Sequence, residues 1–197
     1  MTRPLDTAAL EQIFRTARTH SAWTDRAVED SVLREIVDLA KMGPTSANCL
    51  PARFLFLKSK AAKDRLRPHL SEGNVDKTMA APVTAIVAYD LEFYERLPEF
   101  FPHKPEARGW FAGKPKLIEK TAFRNGSLQG AYFIVAARAL GLDCGPMSGF
   151  KNAGVDAEFF PDGTVKSNFL CNLGYGDRAS LPPRGPRPSF EEIAEIL

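Results

Sequence analysis

The stretch from Leu117 to Leu140 constrains this chain more than any other. Leu117, Phe123, Leu128, Ala131, Tyr132, Val135 and Ala139 recur at helical spacing, and together they occupy more than one face. A helix apolar on several sides needs cover from several sides, so it is expected to be long, central and buried. Gly126 and Gly130 lie one turn apart on it. Each costs about 1 kcal/mol relative to alanine in a helix interior, so the expected compensation is close approach of another backbone. Gly141 ends the helix.

What can surround such a helix follows from the segments on either side. Asp6 can cap a first helix carrying Leu10, Ile13, Phe14 and Ala17, which ends near Arg18-Thr19-His20-Ser21. Asp30 can cap a second, with Leu33, Ile36, Val37 and Ala40 as its stripe. Pro44 should stop that helix, because its ring fixes φ and clashes with the preceding turn. Phe54 to Leu57 then reads as a buried strand. A charged helix over about Ala61 to Leu70 is interrupted by Pro68. Val83 to Tyr89 is a strand with Pro82 at its start, and Val165 to Tyr175 is a buried strand. GLDCGPMSGF gives a short strand and a Gly-Pro turn, and Ser189 with Glu192 forms a capping box for a last helix. Strands separated by helices, with no internal repeat, imply one α/β or α+β domain over residues 1–197.

Composition closes several functional classes. Among 197 residues, 26 Lys and Arg face 24 Asp and Glu, so no basic footprint for nucleic acid or a membrane surface exists. No apolar run approaches the roughly 18 residues of a membrane span, and MTRPLDTAALEQ lacks a signal-peptide segment, so a cytoplasmic location is expected. Cys49, Cys144 and Cys171 are odd in number and far apart, which argues against a disulfide framework. His20, His69 and His103 are scattered, and no metal-binding pair occurs. Gly73 to Thr78 has the ending of a phosphate loop but lacks its glycines. Gly174 to Ala179 matches GxGxxA after a strand, yet proline-rich chain follows where a dinucleotide fold needs a helix.

Other segments carry chemistry in combination. Arg18-Thr19-His20 offers a fixed charge and donors suited to a phosphate. Pro44-Thr45-Ser46-Ala47-Asn48 is a polar loop between helix and strand. Asn74 and Lys77 would share a helical face, presenting an amide and an ammonium to one ligand edge. Gly145-Pro146-Met147-Ser148-Gly149 offers closely approachable backbone, and Arg184 and Arg187 sit on stiff PRGPRP. Taken singly, each could be a surface charge or an ordinary turn.

In this order along the chain, the segments resemble the nitroreductase family of FMN-dependent oxidoreductases. Within it, ARTH, GPTSANCLPAR, EFYERLP, TAFRN and GLDCGPMSGF are similar to the subgroup containing the malonic semialdehyde reductase of the Rut pyrimidine-degradation pathway. The resemblance implies an α+β fold: a central, mostly antiparallel sheet flanked by helices, in an intertwined homodimer with FMN at the interface. It also implies roles. Arg18, Thr19, His20, Arg184 and Arg187 would hold the FMN phosphate and ribityl chain. Ser46 and Asn48, in a loop shaped by Pro44 and Thr45, would meet the ring from the partner subunit. Asn74 and Lys77 would face its pyrimidine edge, where negative charge grows on reduction. Ser148 and Gly149 would give a backbone N–H to N5, with Pro146 and Met147 beside them in the cofactor-binding set.

The implied chemistry is two-step hydride transfer, from NADPH or NADH to FMN and then to an acceptor such as malonic semialdehyde, with no side-chain nucleophile or base. The resemblance also leaves open a general nitro or quinone reductase and a flavin carrier without useful turnover. Leu50, Ser148 and His20 depart from the Gln, Glu and Ser that the family often has there. Glu92 to Phe111 is unusually aromatic for its length and could close a pocket, with His103 or Arg108 available for a small carboxylate.

Overall fold

The computed structural model describes residues 3–197. In chain order it forms α1 (Thr7–Leu10), α2 (Asp30–Ala40), β1 (Ala52–Leu57), α3 (Lys60–Leu66), α4 (Val75–Ala80), β2 (Val83–Asp90), α5 (Leu97–Phe100), α6 (Pro115–Ala139), β3 (Asp143–Met147), α7 (Asn152–Phe159), β4 (Val165–Gly174) and α8 (Phe190–Ile193). The four strands make one antiparallel sheet in the order β1-β2-β4-β3.

Alternation along β2 divides the core. Val83, Ala85 and Val87 face α2 and α6, packing with Leu33, Ile36, Ala40 and Phe133. Ile86 and Ala88 face the other side, with Leu66 of α3 and Val155 of α7. Opposite Val87 and Ala88 the register slips, leaving Asn168 of β4 without a partner in the pairing. Such a bulge re-aims a side chain; here the Asn168 amide donates to Ser127 Oγ of α6 at 2.9 Å.

The long helix forms as its periodicity requires, but only one side is covered. Ala122, Gly126, Gly130, Phe133 and Ala137 are buried, while Phe123, Leu128 and Tyr132 remain about half exposed. The two glycines do permit close approach, by side chains of the sheet and not by backbone. A Cβ on Gly126 would lie 2.9 Å from Tyr89 Cβ, and one on Gly130 would lie 2.6 Å from Phe169 Cε1.

Several local expectations are corrected. Asp30 is the first helical residue of α2, and Glu29 holds the cap position; the Asp30 carboxylate instead accepts from Lys58 Nζ at 2.5 Å. Gly145 and Pro146 lie within β3 and form no turn. Proline is tolerated there because β3 is a marginal strand of the sheet. β1 is half-buried along most of its length, since it too is marginal and lacks a second neighbour. The first helix runs from α1 into a π-turn at Glu11–Arg15, which rotates the apolar stripe and leaves Phe14 exposed.

The aromatic excursion after β2 is a packed unit. Phe93, Leu97, Ala107 and Phe111 are buried together with Cys49 and Tyr89. Phe93 and Phe111 meet edge to face with centroids 5.0 Å apart. Among the described residues no helix is long and apolar enough to cross a membrane.

Candidate functional site

Three of the segments singled out in the sequence converge on the β3 margin of the sheet. Thr19 bridges Cys144 in parallel, and the His20 N–H donates to the Cys144 carbonyl at 3.0 Å, so Arg18 to His20 runs alongside β3. Gly145 has no Cβ because the His20 carbonyl would lie 2.5 Å from it. Beyond β3, Gly149 turns toward the start of α4. Its carbonyl accepts from the Asn74 amide at 2.7 Å and from the Ser71 N–H at 3.0 Å. A Cβ on Gly149 would fall 2.5 Å from Asn74 Nδ2, so only glycine lets the Asn74 amide close on this turn. Arg18, Asn74, Lys77 and Met147 to Gly149 thus lie along one margin.

Arg184 reaches the same region from the chain's last stretch. Its guanidinium donates to the carbonyls of Arg15 and Ala17, both at 2.8 Å, while Arg18 donates to the Pro182 carbonyl at 2.5 Å. These contacts tie residues 182–184 to residues 15–18, the segment that leads into the run beside β3. Arg187 donates to the neighbouring carbonyls of Gly185 and Pro186. Among the described residues, Arg18, Lys77, Arg178, Arg184 and Arg187 form no ion pair with a carboxylate. Each guanidinium has N–H donors to spare.

His20 is turned inward. Its side chain is 2% exposed, with Nε2 3.4 Å from Asp143 Oδ1 and, among the described residues, no partner on Nδ1. Burial holds it below the ordinary histidine range, helped by Arg178 and Arg18 and opposed by Asp143 and Asp177. Within the RTH segment Thr19 is exposed and Arg18 half-buried, while His20 is buried.

The Pro44 to Asn48 loop lies elsewhere in the chain, before β1 at the other margin. The Ser46 N–H donates to Asn125 Oδ1 at 2.9 Å, the Leu50 N–H to Thr45 Oγ1 at 3.2 Å, and the Asn48 amide to the Phe100 carbonyl at 2.9 Å. Ala47, Asn48 and Leu50 have φ of 52°, 50° and 40°, left-handed backbone that is costly for residues with a Cβ. The side chains of Ser46 and Asn48 are left exposed. Cys49 beneath them is buried, which pushes its thiol up to about 11. Three strand spacings of about 4.8 Å separate β1 from β3, so one chain does not join this loop to the β3 margin.

An open cleft of about 1020 Å³ adjoins Ser148, between Asn152 of α7 and Phe123 of α6. Glu92, Glu119, Asp156 and Asp162 line it, against a single Lys166. His103 and Arg108 do not line this cleft. Arg108 is engaged with Glu95 through two hydrogen bonds of 2.6 and 2.8 Å, and His103 packs on Phe101 with centroids 4.0 Å apart.

Reading the sequence singled out neither Asn172 nor Trp23 nor Lys63, all of which touch α4. Asn172 is fully buried. Its Oδ1 accepts from Thr84 Oγ1 at 2.8 Å, and its Nδ2 donates to the Lys77 carbonyl at 3.2 Å. The Trp23 indole donates to that same carbonyl at 3.3 Å. An amide inside the apolar run FLCNLGY was the available signal.

Comparison with known proteins agrees with this architecture. The profile described as "Nitroreductase family" matches residues 14–175. A Burkholderia lata protein, a candidate NADH dehydrogenase/NAD(P)H nitroreductase, is 62% identical over 98% of both chains. A Polynucleobacter asymbioticus protein with the same designation is 58% identical over the full length of both. A candidate nitroreductase from Exiguobacterium sibiricum, solved in complex with FMN, superposes with a TM-score of 0.86 at 20% identity over all of both chains. An enone reductase of gut-bacterial fatty acid saturation superposes at 0.82 with 14% identity, over 98% of this chain and 100% of that one. On the profile and the close relatives together, this chain belongs to the nitroreductase family.

Proposed function

We propose that the chain is an NAD(P)H-dependent FMN oxidoreductase, one nitroreductase-like domain over residues 1–197 that works as a homodimer. The observation that carries this reading is the β3 margin. There, Arg18 and Arg184, which like Lys77 form no ion pair with a carboxylate among the described residues, lie on the same side of the sheet as the Asn74–Gly149 closure. That donor set suits an anionic, phosphate-bearing group with a hydrogen-bonding edge. When bound, FMN supplies the hydride chemistry between nicotinamide and acceptor.

The chain's residues would bind and orient. Arg18, Arg184 and Arg187 hold the phosphate end, with Thr19 and His20 fixing Arg18 beside β3. Asn74 and Lys77 face the pyrimidine edge, where Lys77 offsets negative charge. Pro146, Met147, Ser148 and Gly149 present backbone to the reactive part of the ring. Pro44, Thr45, Ser46 and Asn48 of a second copy would close the site, because within one chain they stand at the opposite margin. The uncovered Phe123, Leu128 and Tyr132 of α6 give the second copy an apolar surface to bury.

For the acceptor, the ARTH, EFYERLP and TAFRN likeness supports malonic semialdehyde, reduced to 3-hydroxypropanoate in pyrimidine degradation. The charge of the Ser148 cleft favours a second reading. Four carboxylates against one ammonium would repel a carboxylated acceptor and admit a neutral nitro compound or quinone. Anaerobic bleaching of the yellow protein by NADPH and by NADH tests the flavin reading. Reoxidation by malonic semialdehyde against a nitroaromatic then decides the acceptor. Protein that neither nicotinamide bleaches would instead be a flavin carrier.

A further inference from the structure

α4 has only six residues, Val75 to Ala80, too few to hold its own shape. Its carbonyls are nonetheless held from three directions. The Lys77 carbonyl takes both the Trp23 indole N–H and the Asn172 amide. Lys63 of α3 donates Nζ to the Ala81 carbonyl and, at 3.4 Å, to that of Met79. Thr78 is fully buried and donates to Met147 Sδ at 3.5 Å. A buried ammonium is costly unless paired. Lys63 is 5% exposed and forms no ion pair with a carboxylate among the described residues; its charge meets only helix-terminal carbonyls, the negative end of the helix dipole. Burial accordingly holds the Lys63 amine below its usual range.

The geometry points to Lys63 as a positioning residue for Lys77, acting through a clamp completed by Trp23 and Asn172. This rests on the flavin reading above: the clamp would fix the angle at which Lys77 and the N-capping Asn74 face the bound ring, without Lys63 touching it. A short helix free to rock would spread the Lys77 ammonium over many positions and weaken its hold on the more negative, reduced ring.

The test uses the FMN-loaded protein and its apo form, comparing wild type with Lys63→Met, Lys77→Met and the double variant. Lys63→Met is expected to reduce the affinity for reduced relative to oxidised FMN, read as a more negative midpoint potential, by about tenfold, the size of one hydrogen bond to a charged group. The double variant should shift no further than Lys77→Met alone. Hydrogen exchange of the apo protein should show residues 75–81 losing protection in Lys63→Met while β2 and β4 keep theirs. Trp23→Phe, which removes the indole donor and part of the ring while keeping an aromatic side chain, should move exchange and potential in the same direction, and it serves if Lys63→Met fails to fold. An unchanged potential, or additive shifts in the double variant, overturns the positioning role. Unchanged exchange at 75–81 overturns the clamp itself. If wild type binds no FMN, the flavin reading fails, while the exchange data still decide the clamp.

Discussion

The Ser46 backbone N–H donates to Asn125 Oδ1, joining an exposed loop to an almost wholly buried residue of α6. Asn125 also donates from Nδ2 to the Thr121 carbonyl at 2.9 Å, so its amide is fixed at both ends. Replacing it with leucine would leave the Ser46 N–H without a partner and release a loop that already holds left-handed backbone. We expect Asn125→Leu to cost about 1–3 kcal/mol of stability, measured by denaturant melting, and to weaken FMN binding more than it lowers helicity.

Gly130→Ala is expected to destabilise although alanine is the better helix former. The propensity gain is about 1 kcal/mol, but the new methyl would lie 2.6 and 2.8 Å from the Phe169 ring and 3.2 Å from Val87 Cγ1. Overpacking of this kind costs about 1–3 kcal/mol, so the net change is a lower melting temperature in calorimetry. A rise would mean that the Phe169 ring yields freely.

The helices α2 and α6 were legible, because the 3.6-residue period survives in them without help from partners. By contrast α5 and α7, four and eight residues long with one buried residue each, were not read from the sequence. What was not legible was contact across the sheet. Gly126 and Gly130 announced a close approach, but Tyr89 and Phe169 supply it from strands far along the chain. Gly145-Pro146 has the composition of a turn and still enters β3, since a marginal strand leaves proline's missing N–H unneeded. For the candidate site, Arg18, Asn74, Lys77 and Gly149 could be found as residue types, whereas Lys63 and Trp23 bond to carbonyls, which carry no side-chain signature, and Asn172 showed only as an amide inside an apolar run.

His20 gives a pH dependence whose sign follows from its burial. Its folded-state pKa lies below the ordinary value of 6.5, so the unfolded chain takes up the proton more readily. The stability contributed by the neutral ring is complete above 6.5 and is lost as pH falls through the lowered folded value. Denaturation midpoints across that window should fall for wild type and fall less for His20→Phe. Equal slopes would show that the ring takes up its proton in the fold as readily as in the unfolded chain.

Arg108→Ala should leave selectivity for a carboxylated over a neutral aldehyde unchanged within about twofold, because the guanidinium is already spent on Glu95. Comparison of kcat/KM for the two aldehydes is the measurement. A large selective loss would mean that the Glu95 pair opens for substrate.

The strand order β1-β2-β4-β3 has a consequence for genetics. If a pocket needs the loop before β1 from one copy and the β3 margin from another, each polypeptide carries two separable half-functions. A chain disabled at Asn48 and one disabled at Arg18 would each be inactive alone. Mixed in equal amounts, half the dimers would pair the two, and each hybrid would hold one pocket built wholly from intact halves, about a quarter of the wild-type number of pockets. Two null alleles of this single protein would then rescue one another.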